Sequence, residues 1–389
     1  MNKPDFPKSS NDEPISASEV SSEVQETIEE ISPNPVRPLL DGATPNLPLL
    51  SPELEQVRKI ASDPNLFLED RIEAFEDIFD SEVGDTNLTR AKNIEREVGL
   101  RQIYLKFEGS NPTGTQKDRI AFAQAIDALR RGFDTITVAT CGNYGAAIAF
   151  ASALAGIRCF IYIPEGFRST RVREMENYGA EIIRIDGDYE KAVTISRERA
   201  ERDELYDANP GGANTSLQLR AYGEIAFEIY DELRDAPAVV AVPVSNATTL
   251  AGIYKGFLSL HRRGKISRMP KIVAGSSYRK NPVVQAFLKK ADHCEDLIPE
   301  KIKETSVNEP LVNWHSIDGD FALDAIYSTD GWAAYVSDKN MLAISRKIRE
   351  VEGLNVLPAS TAGLIALLNK HQHEPMTADR YVIILTGRR

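Results

Sequence analysis

From Ser51 onward the apolar positions switch repeatedly between two periods, and the switching predicts a layered α/β protein. Short apolar runs predict strands near 103–107, 135–140, 158–163, 181–185, 238–244, 271–274 and 381–385. Between most of them apolar residues recur at helical spacing, over 117–131, 144–155, 168–178, 188–202, 216–233 and 249–263. Strand and helix in strict turn mean mainly parallel sheets joined by crossover helices. Two helices precede this region. Ser51, Pro52 and Glu53 form a start signal for the first, with Leu54, Val57 and Ile60 on its face. The second carries Ile72, Phe75, Ile78 and Phe79. No repeat of fixed period is visible.

Residues 1–50 differ in kind. They hold nine acidic side chains against three basic ones, a net −6 within a chain of net −12, and eight of its 21 prolines. Such a segment cannot bury enough apolar surface to offset its ordering entropy, so a disordered acidic tail is expected. Within it Val20, Val24, Ile28 and Ile31 share one helical face. That face is either nascent helix in a solvated tail or a short docking helix, for a partner protein or for this chain's own surface.

A length of 389 residues suffices for two domains with real cores. The acidic balance argues against nucleic acid or an anionic membrane as partner. The three cysteines (Cys141, Cys159, Cys294) have no metal-ligand spacing, which points to reduced thiols. No run approaches the roughly 18 apolar residues that span a bilayer, and Met1–Phe6 lacks the features of a secretion signal. The cytoplasm is the expected location.

Four segments lie at strand ends and helix starts, where α/β folds hold their ligands. Gly109 to Arg119 is a glycine-bounded loop that delivers Lys117 to a helix N-terminus, where the helix dipole favours a neutral, nucleophilic amine. Thr140-Cys141-Gly142-Asn143-Tyr144-Gly145 turns a strand into a helix whose free N–H groups can hold a carboxylate. Ser245-Asn246-Ala247-Thr248-Thr249 feeds small hydroxyl residues into another helix start, as a phosphate site or as a plain N-cap. Thr386 ends the last strand. Arg168, Arg171 and Arg173 read as a solvated helix face that could meet an anion, and His371 with His373 as a polar helix end without metal.

In order and flanking elements these segments resemble the fold-type II pyridoxal phosphate enzymes, and among them the threonine synthases most closely. The matching text, from about Gly84 to Thr386, is YLKFEGSNPTGTQKDR, GNYGAAIA, PVSNATTLAGIYKGF, LPASTAGLIAL and IILTG. The resemblance implies pyridoxal 5'-phosphate held as a Schiff base on Lys117, with Asn143 facing its ring oxygen. It puts the cofactor phosphate at Ser245, Asn246, Ala247, Thr248 and Thr249, and the hydroxyl of Thr386 at the pyridine nitrogen. Thr140, Cys141, Gly142 and Tyr144 become the turn that meets a small amino-acid substrate.

The implied fold has a large domain of 51–110 with 235–389, a small domain of 111–234, and the cofactor between them, in a homodimer. The implied reaction takes O-phospho-L-homoserine to L-threonine and phosphate. Elimination or replacement at Cβ, as in serine/threonine dehydratases and cysteine synthases, needs the same lysine, and a non-catalytic cofactor-binding protein is a third reading. Three departures from the family pattern stand out. Thr115-Gln116 precedes the lysine where Ser-Phe is usual, Cys141 stands where serine is common, and the phosphate loop has lost glycine to Thr248 and Thr249. The threonine hydroxyls are expected to replace part of the lost backbone contact.

Overall fold

The computed structural model describes residues 51–140, 142–167 and 169–389. The face formed by Val20, Val24, Ile28 and Ile31, together with Cys141 and Arg168, lies outside the described residues.

Helices α1 (Pro52–Ser62) and α2 (Leu68–Glu82) come first, and the Ser51 hydroxyl caps α1 by accepting from the Leu54 N–H at 3.2 Å. Then follow β1 (Leu88–Arg90), α3 (Lys92–Val98), β2 (Ile103–Phe107) and α4 (Lys117–Arg130). The middle of the chain alternates without interruption: β3 (Thr135–Ala139), α5 (Asn143–Ala155), β4 (Arg158–Pro164), α6 (Thr170–Asn177), β5 (Glu181–Ile185), α7 (Tyr189–Arg202), β6 (Tyr206–Asp207) and α8 (Thr215–Leu233). The last part holds β7 (Val239–Pro243), α9 (Thr248–Arg262), β8 (Lys271–Ser277), α10 (Pro282–Lys289), α11 (Gly319–Ser328), β9 (Trp332–Val336), α12 (Asp338–Glu352), α13 (Ala362–His373) and β10 (Tyr381–Leu385).

The strands form two sheets. One has six strands in the order β1-β2-β10-β7-β8-β9, parallel except for β1, which runs antiparallel to β2. The other has four parallel strands in the order β5-β4-β3-β6. This is the α/β architecture that the alternation predicts. The seven expected strands are present. The apolar runs do not signal β1, β6 and β9, which are edge strands of their sheets. In β9 two of the five residues are alanines, which have little strand preference of their own.

Burial explains why the central elements were so legible. All five residues of β3, β7 and β10 are buried, as a parallel strand covered on both faces requires. Helix α5 is buried along nearly its whole length and is apolar on every side. The two sheets share one core, because Ile136 and Val138 of β3 belong to the same buried cluster as Val240, Val242 and Ile384. Among the described residues no helix is long and apolar enough to cross a membrane, and Cys159 and Cys294 are free thiols.

Candidate active site

The loop between β2 and α4 is fastened from behind by charges. Arg119, in the first turn of α4, donates to Glu108 from Nε at 2.6 Å and from its terminal nitrogen at 2.9 Å. The same guanidinium donates to Glu228 of α8 at 2.6 and 2.8 Å, and Lys106 pairs with Glu228 at 2.5 Å. Burial would raise the Glu228 carboxyl, but Arg119 and Lys106 outweigh it and hold it down at about 2. Asp118 accepts from the Thr113 N–H at 3.0 Å and the Thr113 hydroxyl at 2.7 Å. Burial nevertheless pushes the Asp118 carboxyl up to about 7.

Lys117 stands at the first position of α4, enclosed by the protein and open to the cavity described below. Burial pushes its amine down to about 8, while the Asp318 carboxylate pulls the other way. The helix N-terminus acts in the same direction as burial. Its nitrogen lies 5.9 Å from the centre of the Tyr222 ring. Glu108, Glu228 and Asp118 are spent on Arg119, Lys106 and Thr113, and Asp318 is the carboxylate whose charge still acts on the lysine.

At the start of α5, Gly142 occupies the cap position and Asn143 the first turn. The Tyr144 hydroxyl donates to the Ala208 carbonyl at 2.8 Å and accepts from Gln124, so its polar end is already engaged. Gly145 has a packing reason: a Cβ there would sit 2.3 Å from the Met175 methyl of α6.

The loop into α9 is tied down through its carbonyls. Asn281 and Ser316 both donate to the Ser245 carbonyl, each at 3.0 Å, and the Asp318 N–H donates to the Asn246 carbonyl at 3.1 Å. Ala247 adopts φ +73, a left-handed conformation that favours glycine, at the position just before the helix. The alanine here holds a conformation that only glycine adopts without cost. The Thr248 hydroxyl donates to the Asp318 carboxylate. A hydroxyl has one proton, so this bond uses the donor that sequence reasoning reserved for a phosphate. Burial pushes the Asp318 carboxyl up, against Thr248, Lys255 and Lys117.

Thr386 lies just beyond β10, its hydroxyl 3.1 Å from that of Ser360, and Ser360 accepts from the Gly387 N–H at 3.0 Å. The Gln116 N–H donates to the Thr386 carbonyl at 3.0 Å, which ties this strand end to the lysine loop.

These pieces surround one cavity of about 500 Å³. Lys117, Thr140, Gly142, Asn143, Tyr144, Ser245, Asn246, Ala247, Thr248, Thr249 and Thr386 all line it, which is every candidate residue except the undescribed Cys141. Sequence reasoning missed Ser360, Glu190 and the wall from Glu309 to Trp314. It also missed Asp318. The 290–318 stretch carries no apolar period, and only LPASTAGLIAL offered a signal, for Ser360. Arg171 is occupied, donating to Glu174 at 2.6 Å and to the Thr113 carbonyl at 3.3 Å. His371 accepts from the Met376 N–H at 2.9 Å, an ordinary helix-end contact.

A lysine of lowered pKa thus faces two helix starts across one cavity. Residues 79–387 match the family model described as pyridoxal-phosphate dependent enzyme. The chain belongs to this family. It is similar to the threonine synthase of Methanocaldococcus jannaschii, at 32% identity over 305 residues, 78% of this chain and 74% of that protein. Among solved structures it resembles maize serine racemase, with a TM-score of 0.68 at 19% identity, covering 82% of this chain and 92% of that one. It also resembles a threonine deaminase from Solanum lycopersicum, with a TM-score of 0.67 at 16% identity, covering 92% and 95%. At these identities the solved structures bear on the fold alone. Members of the pyridoxal-phosphate dependent family share a cofactor but not a reaction.

Proposed function

We propose that this chain is an amino-acid lyase in which Lys117 carries pyridoxal phosphate and serves as the base at the substrate's Cα. The observation behind the proposal is Lys117 itself, an enclosed amine lowered to about 8 and open to the cavity.

The residues present fit the cofactor. The first N–H groups of α9 have no helical partners and suit a phosphate, and the left-handed Ala247 leads the chain into them. Asn143 offers an amide to a ring oxygen, and Thr386 a hydroxyl to the ring nitrogen. Bound pyridoxal phosphate supplies an electron-accepting ring that holds negative charge from Cα. Lys117 Nζ takes the proton from Cα and returns one later in the reaction. The N–H groups at the start of α5, from Gly142 to Tyr144, hold the substrate carboxylate. The cavity walls keep both reacting groups in register and limit water.

Similarity to threonine synthases supports one finer reading, O-phospho-L-homoserine to L-threonine and phosphate. A second, elimination or replacement at Cβ of an amino acid without phosphate, is favoured by a specific observation. Among the described residues the cavity wall carries Glu190, Glu304 and Glu309 against the single cation Lys117, a poor match for a second phosphate. The proposal also takes in a homodimer, in the cytoplasm, with the cofactor between domains 111–234 and 51–110 plus 235–389.

The test is a panel of O-phospho-L-homoserine, L-serine, L-threonine and O-acetyl-L-serine with a thiol, given to the full-length chain with pyridoxal phosphate. Release of phosphate together with threonine supports the first reading. A 2-oxo acid or a thioether product, without phosphate release, supports the second. No turnover with any of them overturns the enzymatic proposal and leaves a cofactor-binding protein.

A further inference from the structure

We propose that Arg388 is a positioning residue for Lys117, acting through the loop from Gly109 to Gln116; this rests on the reading of Lys117 as the cofactor-linked amine.

Beyond β10 the chain meets the lysine loop in a single antiparallel β-bridge, Gly387 to Thr115. Backbone bonds run both ways. The Gln116 N–H donates to the Thr386 carbonyl at 3.0 Å, and the Arg388 N–H donates to the Gly114 carbonyl at 2.9 Å. The Arg388 side chain then reaches along the loop and donates to the carbonyls of Gly109 at 3.2 Å and Pro112 at 3.0 Å. Gly114 closes around it at φ +88, where a Cβ would lie 2.8 Å from Arg388 Nε and 2.9 Å from its Cγ. The guanidinium is therefore the hub of the loop's outer side.

The ion network of Glu108, Arg119 and Glu228 fastens the two ends of the same loop from within. It does not reach the carbonyls of Gly109 and Pro112. An arginine near a surface ordinarily meets carboxylates or water, whereas both side-chain bonds here go to backbone oxygens of one loop. That loop ends at Lys117. The segment carrying Arg388 also carries Thr386, proposed at the far edge of the cofactor ring. The two-residue bridge thus sets the spacing between the amine and that hydroxyl. Loosening it admits water to Lys117, and an amine with more water around it returns toward its ordinary pKa.

The experiment compares wild type, Arg388→Ala and Arg388→Lys as full-length chains. It reads amide hydrogen exchange and the pH dependence of the rate at which added pyridoxal phosphate is captured. In Arg388→Ala we expect the Gln116 amide to exchange at least tenfold faster while the amides inside α4 are unchanged. The midpoint of capture should move up from about 8. Each unit of rise lowers the neutral amine, and the capture rate at pH 7, by about tenfold. Millimolar methylguanidine should restore part of the rate in Arg388→Ala, and Arg388→Lys should fall between the two. Unchanged exchange at Gln116, or an unmoved midpoint, overturns the proposal. So does uniform acceleration of every α4 amide with a large fall in Tm, which would make Arg388 a general support. If borohydride fixes the cofactor on another lysine, the reading of Lys117 fails, whereas the exchange result at Gln116 is independent of it.

Discussion

The loop that delivers Lys117 and the loop that opens α9 face the same cavity, and only the first is held from within by buried ion pairs. The first is secured by buried charges, Arg119 with Glu108 and Glu228, and Lys106 with Glu228. The second is secured by neutral donors from Asn281 and Ser316 and by the Asp318 N–H, all aimed at its carbonyls. Each scheme leaves free the group that chemistry needs. Charges satisfied among themselves leave the Lys117 amine without a carboxylate clamp. Bonds made to carbonyls leave the N–H groups at the head of α9 available to an anion. The difference teaches that a site is built as much by what is kept unpaired as by what is bonded.

The sharpest way to break this comparison is to remove the amine. Lys117→Ala should lose cofactor attachment and lower turnover by roughly 10²–10⁴-fold or more. In the wild type, borohydride should fix the cofactor mass on the peptide holding Lys117. The amine also leaves a trace in stability. Its folded value of about 8 lies below the ordinary 10.5, so between these values the unfolded chain binds the extra proton. Without cofactor, stability contributed by this group should therefore rise with pH from about 8 to 10.5, and its penalty is complete below about 8. Subtracting the pH profile of Lys117→Met isolates the effect; a difference curve that is flat or falls with pH would contradict it.

The charged frame is tested next. Arg119→Met strands Glu108 in the interior, leaves Glu228 to Lys106 alone, and should cost roughly 3–5 kcal/mol in denaturant unfolding. Breaking the exposed Arg130–Glu76 pair by Arg130→Ala should cost no more than about 1 kcal/mol. Similar costs at both positions would mean that the network behind Lys117 has no special weight.

The neutral frame has one carboxylate beneath it, and removing that charge sharpens the contrast. Asp318→Asn should tighten pyridoxal phosphate binding by roughly threefold to tenfold and lower the Lys117 pKa further. Spectrophotometric titration reads both. Weaker binding would show that Thr248 needs the carboxylate to orient the cradle. The smallest effect is expected at Ala247. Glycine there relieves the left-handed backbone at φ +73 and should stabilise the fold by roughly 0.5–1 kcal/mol, seen as a modest rise in Tm.

Much of the frame was legible because it is local. β3, β7 and β10 are buried throughout, so their sequences are continuous apolar runs, and the helices between them show their own period. The candidate residues were legible for a related reason: loops at strand ends and helix starts announce themselves by glycine, asparagine and threonine. Legibility stopped where one local signal had two explanations. Gly145 reads as part of a ligand turn, yet it also makes room for the Met175 side chain. Thr248 reads as a phosphate donor, yet its proton goes to Asp318.

The sequence by itself determined seven of the ten described strands and the helices between most of them, the α/β class and the short segments able to carry chemistry. Tertiary structure alone decided how those segments are held. The bond from Arg388 to Gly109 spans 279 residues, and that from Thr248 to Asp318 spans 70. Periodicity and turn chemistry act over one or two turns of backbone. The pKa of a lysine and the freedom of a hydroxyl depend on burial and on partners that the folded chain brings from far along the sequence.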